Sequence, residues 1–98
     1  MRAHRSYIFL DRDGTLVRDT GYPYRREDYA ILPHVIPGLA LMQDLGFRLA
    51  IVTNQSGIGR GLYTESDFTR FQTWLIEDLL RAGVKIDATY HCPHKPQD

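Results

Sequence analysis

The chain has 98 residues, enough for one small domain and too few for two. Apolar residues make up 43% and charged residues 24% of it, and twelve Lys and Arg balance twelve Asp and Glu. That balance argues against a strongly basic nucleic-acid surface and against an acidic tail. Cys92 is the one cysteine, which excludes an intramolecular disulfide and suits a reducing compartment. The basic start, Met1 to Ser6, is followed by only four apolar residues before Asp11, too few for a signal-peptide core or a membrane span. The expectation is a cytoplasmic protein with no membrane and no nucleic-acid partner.

In chain order, Tyr7-Ile8-Phe9-Leu10 is a continuous apolar run closed by the polar turn Asp11-Arg12-Asp13-Gly14. It predicts a strand buried on both faces. The segment from Arg18 to Ile36 is rich in Tyr, Pro and charge and predicts an irregular loop or small cap. Pro37-Gly38 then opens a segment with Leu39, Leu41, Met42 and Leu45 apolar, and Gly46 closes it, which suits an amphipathic helix with a glycine C-cap. Leu49-Ala50-Ile51-Val52 predicts a second buried strand, ended by Thr53-Asn54-Gln55-Ser56-Gly57. Thr64 with Asp67 three residues on is a capping-box variant, and Phe68, Phe71, Leu75 and Leu79 recur at helical spacing up to Gly83. A third strand is expected around Ile86-Asp87-Ala88-Thr89-Tyr90. This alternation predicts an α/β fold with a parallel sheet, and ligands in such sheets bind at the carboxyl ends of the strands. The loops at Asp11 and Thr53 both belong to that edge.

Two carboxylates two residues apart after a strand also suit a solvated turn. The full run Phe9-Leu10-Asp11-Arg12-Asp13-Gly14-Thr15-Leu16, however, resembles the first motif of the haloacid-dehalogenase superfamily, apolar-apolar-Asp-x-Asp-Gly-Thr-apolar. The resemblance implies a Rossmann-like, three-layer parallel sheet, of which residues 1–98 would be the N-terminal β-α-β-α-β part. It also implies a phosphoric monoester hydrolase with Asp11 as nucleophile and Asp13 as general acid and base. The chemistry suits these residues. A carboxylate that attacks phosphorus forms an aspartyl-phosphate, and a cation such as Mg²⁺, held by oxygen ligands at Asp11 and Asp13, offsets the repulsion between the two anions. In the superfamily the metal also contacts the backbone carbonyl of the second aspartate.

Ile51-Val52-Thr53-Asn54 resembles the second motif of the same superfamily, in which the Thr53 hydroxyl and nearby amides would hold phosphoryl oxygens. By itself it is a polar loop between strand and helix. Arg60, set among Gly57, Gly59 and Gly61, suits a second phosphate and equally a solvated arginine on a flexible loop. Cys92-Pro93-His94 is a weak metal signal alone, since structural zinc needs four ligands. With Asp19-Thr20-Gly21-Tyr22 and Thr53-Asn54-Gln55-Ser56 it resembles the branch of D,D-heptose 1,7-bisphosphate phosphatases and histidinol-phosphatase domains. That branch implies substrate contacts at Asp19, Thr20, Gly21, Tyr22, Asn54, Gln55, Ser56 and Arg60, and half of a structural Zn²⁺ site at Cys92 and His94. The implied substrate is a heptose bisphosphate cleaved to the monophosphate on a route to lipopolysaccharide heptose, with the protein a monomer when complete. Histidinol phosphate is the rival substrate in the same class. Neither the family's later lysine motif nor its paired acidic motif is found, which leads to the expectation of an N-terminal fragment, inactive alone, with Tyr7 to Leu10 as an open sheet edge. A DNA 3′-phosphatase of the superfamily is disfavoured by the zero net charge.

Overall fold

The computed structural model describes residues 6–94. The basic start at residues 1–5 and the stretch 95–98, which carries the end of the Cys-Pro-His-Lys-Pro-Gln resemblance, lie outside the described residues. Three strands, β1 (Tyr7–Leu10), β2 (Arg48–Asn54) and β3 (Ala88–Cys92), form one parallel sheet in the order β1-β2-β3. The register sets Leu10 beside Ile51, and Thr53 beside His91. Helix α1 (Val35–Asp44) links β1 to β2, and a short turn α2 (Ser56–Gly59) with a long helix α3 (Glu65–Arg81) links β2 to β3. The predicted β-α-β-α-β order is the observed one.

One core joins Leu10 of β1, Leu49 and Ile51 of β2, Leu39 of α1, and Phe71, Leu75 and Leu79 of α3. Helices α1 and α3 therefore cover the same face of the sheet. The expectation that β1 is buried on both faces is not met. Phe9 is 64% exposed and Tyr7 41%, because their side chains alternate onto the face that no described element covers. Val52 and Tyr90, register neighbours on β2 and β3, are 45% and 58% exposed. Among the described residues β1 is also an edge strand.

Boundaries moved where polar groups intervened. β3 begins at Ala88, two residues later than expected, because at Leu49 only half of the pairing is backbone: Asp87 N donates to Leu49 O at 2.8 Å, while Leu49 N donates to the Asp87 carboxylate at 3.0 Å. Helix α1 begins at Val35, ahead of Pro37, since proline is tolerated in a first helical turn where its missing N–H is not needed. Gly46 takes φ +97° just past this helix, a left-handed C-terminal stop that glycine adopts without strain. The Thr64 hydroxyl accepts from Asp67 N at 3.0 Å while Asp67 Oδ2 accepts from Thr64 N at 2.9 Å, which completes the capping box of α3. These bonds and Arg70 hold the Asp67 carboxyl below its ordinary range.

The segment between β1 and α1 is irregular, as expected, yet it is pinned. Arg18 N donates to Ala30 O at 2.9 Å and Leu32 N to Leu16 O at 2.9 Å, with a bridge from Val17 to Ile31. Its 3-10 turn (Arg26–Asp28) is capped by Asp28, which accepts from Tyr24 N and Arg25 N. Burial alone would raise the Asp28 pKa. Those two N–H groups and the Arg25 guanidinium outweigh it and bring the pKa below its usual value. Tyr29 closes the lobe onto α3: its ring stands edge-on to Phe71 and its hydroxyl donates to Asp78 Oδ2 at 2.6 Å. Among the described residues no helix is long and apolar enough to cross a membrane.

Candidate active site

At the carboxyl ends of β1 and β2 lies a cavity of about 230 Å³ lined by Asp11, Asp13, Asp19, Gly21, Tyr22, Thr53, Asn54, Ser56 and Tyr63. The two polar loops predicted to meet on this edge do meet. Asp11 follows β1 directly and is exposed, with its Oδ1 accepting from Arg12 N at 3.0 Å. Its second carboxylate oxygen has no protein donor among the described residues. Gly14, at φ +84°, turns the chain sharply so that Asp13 stays against the cavity while Leu16 and Val17 return to the core.

Asp13 is held at both oxygens. Arg12 Nε donates to Oδ1 at 2.6 Å and Gln55 Nε2 donates to Oδ2 at 3.1 Å. No backbone N–H among the described residues donates to the Asp13 carbonyl oxygen, so that acceptor is free. Thr53 is buried in β2 and its hydroxyl oxygen accepts from Gln55 Nε2 at 2.9 Å. The Thr53 O–H keeps its proton to donate, and Thr53 is one of the residues that line the cavity.

Of the substrate contacts expected from sequence, Asp19, Gly21, Tyr22, Asn54 and Ser56 line the cavity, and Thr20 and Arg60 do not. Asp19 Oδ1 accepts from Gly21 N at 2.9 Å and so shapes the turn that presents Tyr22. Arg60 lies at the C-terminal end of α2, exposed, its N–H donating to Ser56 O at 3.0 Å. Gln55 is only 1% exposed and sits behind the wall, where it orients Thr53 and Asp13.

Tyr63 is a wall residue that no sequence motif singles out. Its hydroxyl donates to Gln55 Oε1, which fixes the Gln55 amide so that its NH₂ faces Asp13 and Thr53. Burial pushes the Tyr63 pKa up to about 12, against the pull of the Arg12 charge, so the hydroxyl remains a donor across the neutral range. Gly57 makes the arrangement possible. A Cβ there would collide with the Tyr63 ring and come within 2.9 Å of Tyr22 Cδ1. Gly57→Ala is therefore expected to push Tyr63 off Gln55 and to destabilise the domain by about 1–3 kcal/mol through overpacking. Thermal unfolding of the variant measures this; an unshifted midpoint would show that the two rings do not depend on the missing side chain.

Magnesium needs few protein ligands, one or two carboxylates supplemented by substrate phosphate and water. The hard oxygen donors at Asp11 and the free Asp13 carbonyl fit that ion. Zinc is a different matter. Cys92 is exposed on β3 and His94 follows it, but His91 is stacked on Phe68 and bonded to Glu65 Oε1 at 2.9 Å. Among the described residues no group of three or more His, Cys, Asp or Glu converges, so Cys92 and His94 do not complete the four-ligand site that structural zinc requires.

No protein-family model matches the chain. It is 48% identical over 91 residues to a Thermoplasma volcanium protein named "Probable D-glycero-D-manno-heptose-1,7-bisphosphate 7-phosphatase", covering 93% of this chain and 62% of that one. Against the D-glycero-beta-D-manno-heptose-1,7-bisphosphate 7-phosphatase of Escherichia coli K12 it is 42% identical over 90 residues, covering 92% and 47%. The crystal structure of D,D-heptose 1,7-bisphosphate phosphatase from B. bronchiseptica, complexed with magnesium and phosphate, superposes with a TM-score of 0.85 at 29% identity, over 95% of this chain and 52% of that one. In sequence and in fold the chain is similar to part of these phosphatases and to part of a putative HAD-like phosphatase of known structure from Mesorhizobium loti. It spans about half the length of these relatives, 62% of one and 47% of the other. It brings Asp11, Asp13 and Thr53 together on one cavity wall.

Proposed function

We propose that this chain supplies the nucleophile and the phosphoryl-binding wall of a Mg²⁺-dependent phosphatase. Its substrate is proposed to be a small sugar bisphosphate, D-glycero-D-manno-heptose 1,7-bisphosphate, cleaved to the 1-monophosphate. The observation that carries the reading is the convergence of Asp11, Asp13 and Thr53 on a single polar cavity at the carboxyl edge of the sheet. The names of the relatives support the heptose substrate, and the magnesium and phosphate bound in the B. bronchiseptica crystal structure support the metal.

In this proposal Asp11 Oδ1 is fixed by Arg12 N, and the other oxygen attacks phosphorus. The ester P–O bond breaks, and its electron pair leaves on the sugar oxygen, which takes a proton from the Asp13 carboxyl. The Thr53 hydroxyl donates to a phosphoryl oxygen as negative charge builds there. In the second half Asp13 takes a proton from water, the water oxygen attacks phosphorus, and the Asp11 carboxylate is released with inorganic phosphate. Magnesium, held by Asp11 and the Asp13 carbonyl, would neutralise phosphate charge and let one anion approach another. The cavity volume accommodates a phosphoryl group with a few waters, since water occupies about 30 Å³ in the liquid. The sugar then lies against the exposed rim at Asp19 and Tyr22.

The test is phosphate release from heptose bisphosphate and from histidinol phosphate by the protein at its full natural length, with Mg²⁺ and with a chelator. Release from the bisphosphate that stops on chelation is expected. Release from neither ester, or equal release with the metal stripped away, would overturn the proposal.

A further inference from the structure

Arg12 occupies the variable position between the two aspartates of the first motif, where motif logic asks nothing of it. Yet it is the largest fully buried side chain of the described residues, with 0% exposure. Burying a guanidinium is expensive unless it is paired and hydrogen-bonded. Here the pairing is with one carboxylate, Asp13, at 2.6 Å. The rest of the ion is held by α3. Nη1 donates to Gln72 Oε1 at 3.2 Å, and the guanidinium carbon lies 4.6 Å from the Phe71 ring centroid and 5.3 Å from that of Phe68. Arg12 Nη2 and Gln72 Nε2 are buried without a partner among the described residues.

We propose that Arg12 is a positioning residue for Asp13. It ties the carboxylate to helix α3, through Phe68, Phe71 and Gln72, rather than leaving its orientation to the loop. The planar guanidinium, packed against two rings of α3 and bonded to Gln72, holds its Nε toward Asp13. Gln55 holds the opposite oxygen, so the Asp13 carboxyl plane is set by two contacts from two different elements. What this supplies to the reaction is aim: the proton of Asp13 is directed at the leaving oxygen while Asp11 attacks. The inference rests on the phosphatase reading above and adds a role for a residue that touches neither substrate nor metal.

The experiment separates this from a purely structural role by the leaving group. An alkoxide leaving from a sugar phosphate needs the proton from Asp13; p-nitrophenolate leaves without it. Arg12→Met keeps the stem and removes both the charge and the unmet donor. In the protein at its full natural length, Arg12→Met should lower kcat/KM for a sugar bisphosphate about 10- to 100-fold, the scale of a misplaced catalytic group. For p-nitrophenyl phosphate it should change kcat/KM less than about threefold. Placed on an Asp13→Asn background it should add no further loss. A merely structural defect would lower both esters alike, and that result, or unchanged kcat/KM for the sugar ester, overturns the proposal. Should Arg12→Met not fold, Arg12→Lys is read the same way, because lysine has no donor at the Nε position. Wild-type rates from Arg12→Lys would equally overturn it. If wild-type protein shows no turnover beyond Asp11→Asn, the phosphatase reading fails and takes this inference with it. If only the leaving-group pattern is missing, the inference fails alone.

Discussion

Asp11→Asn in the protein at its full natural length should cut phosphate release at least a thousandfold, roughly 4 kcal/mol of barrier, with the fold intact. The amide is nearly isosteric with the carboxylate but is no nucleophile at phosphorus. The one side-chain hydrogen bond of Asp11 among the described residues is accepted from Arg12 N by Oδ1, and an asparagine carbonyl accepts it equally well. The side chain is exposed, so no core contact is lost. Circular dichroism and the unfolding midpoint should therefore stay at their wild-type values while turnover disappears. Turnover above about a thousandth of the wild-type rate would reject the assignment of nucleophile.

The second large effect is on stability. Phe71→Ala should destabilise the domain by about 3–5 kcal/mol, the range for a buried aromatic truncated in a close-packed core. Phe71 is fully buried at the centre of the cluster built by β1, β2, α1 and α3. It also faces the Tyr29 ring edge-on and lies under the Arg12 guanidinium. The alanine variant thus opens a cavity, detaches the lobe that Tyr29 anchors, and exposes a buried cation to loss of its aromatic face. Against a typical stability of about 5–15 kcal/mol, that is enough to leave a small domain marginal. Urea unfolding of Phe71→Ala beside Phe71→Leu measures it. A midpoint for the alanine variant equal to wild type would mean that α3 is not the keystone of the core.

Much of the fold and half of the site are legible in the sequence because they are local. Asp11, Asp13 and Gly14 are consecutive with a strand end, and the turn they form needs no distant partner. Thr64 and Asp67 form their capping box within four residues. The periodicity of Phe68, Phe71, Leu75 and Leu79 marks the face that α3 buries. The rest is set by contacts far along the chain. Arg12 is buried only because Phe68, Phe71 and Gln72, about sixty residues on, fold over it. Gln55 belongs to a loop expected to touch substrate, and it faces inward because Tyr63 takes its carbonyl oxygen. Tyr63 itself reaches the cavity because Gly57 leaves space for its ring, a steric relation between two residues with no motif signal. The apolar run of β1 predicts burial on both faces, whereas α1 and α3 both pack on the side of Ile8 and Leu10. β3 starts later than the sequence pattern suggests because the Asp87 side chain is spent on a backbone N–H of β2.

The cavity chemistry also explains why three neighbouring polar groups are not interchangeable. Among the described residues Asp11 has one carboxylate oxygen without a donor, Asp13 has a donor at each oxygen with a lone pair left for proton transfer, and the Thr53 hydroxyl, which accepts from Gln55, keeps its O–H to donate. A nucleophile must have a free lone pair, a proton-transfer group must be aimed, and an oxyanion donor must have its own oxygen satisfied elsewhere. Each side chain meets one of these conditions, and Asp13, with a donor at each oxygen, does not meet the condition that Asp11 meets.

The most direct measurement is chemical trapping of the intermediate. The protein at its full natural length is mixed with Mg²⁺ and sugar bisphosphate, quenched within milliseconds, reduced with borohydride and digested for mass spectrometry. Reduction of an acyl phosphate converts its aspartate to homoserine, and that change is expected at position 11 and at no other aspartate. Rapid turnover with Asp11 unmodified, or with the change at Asp13 or Asp19, would contradict the assignment of Asp11 as nucleophile.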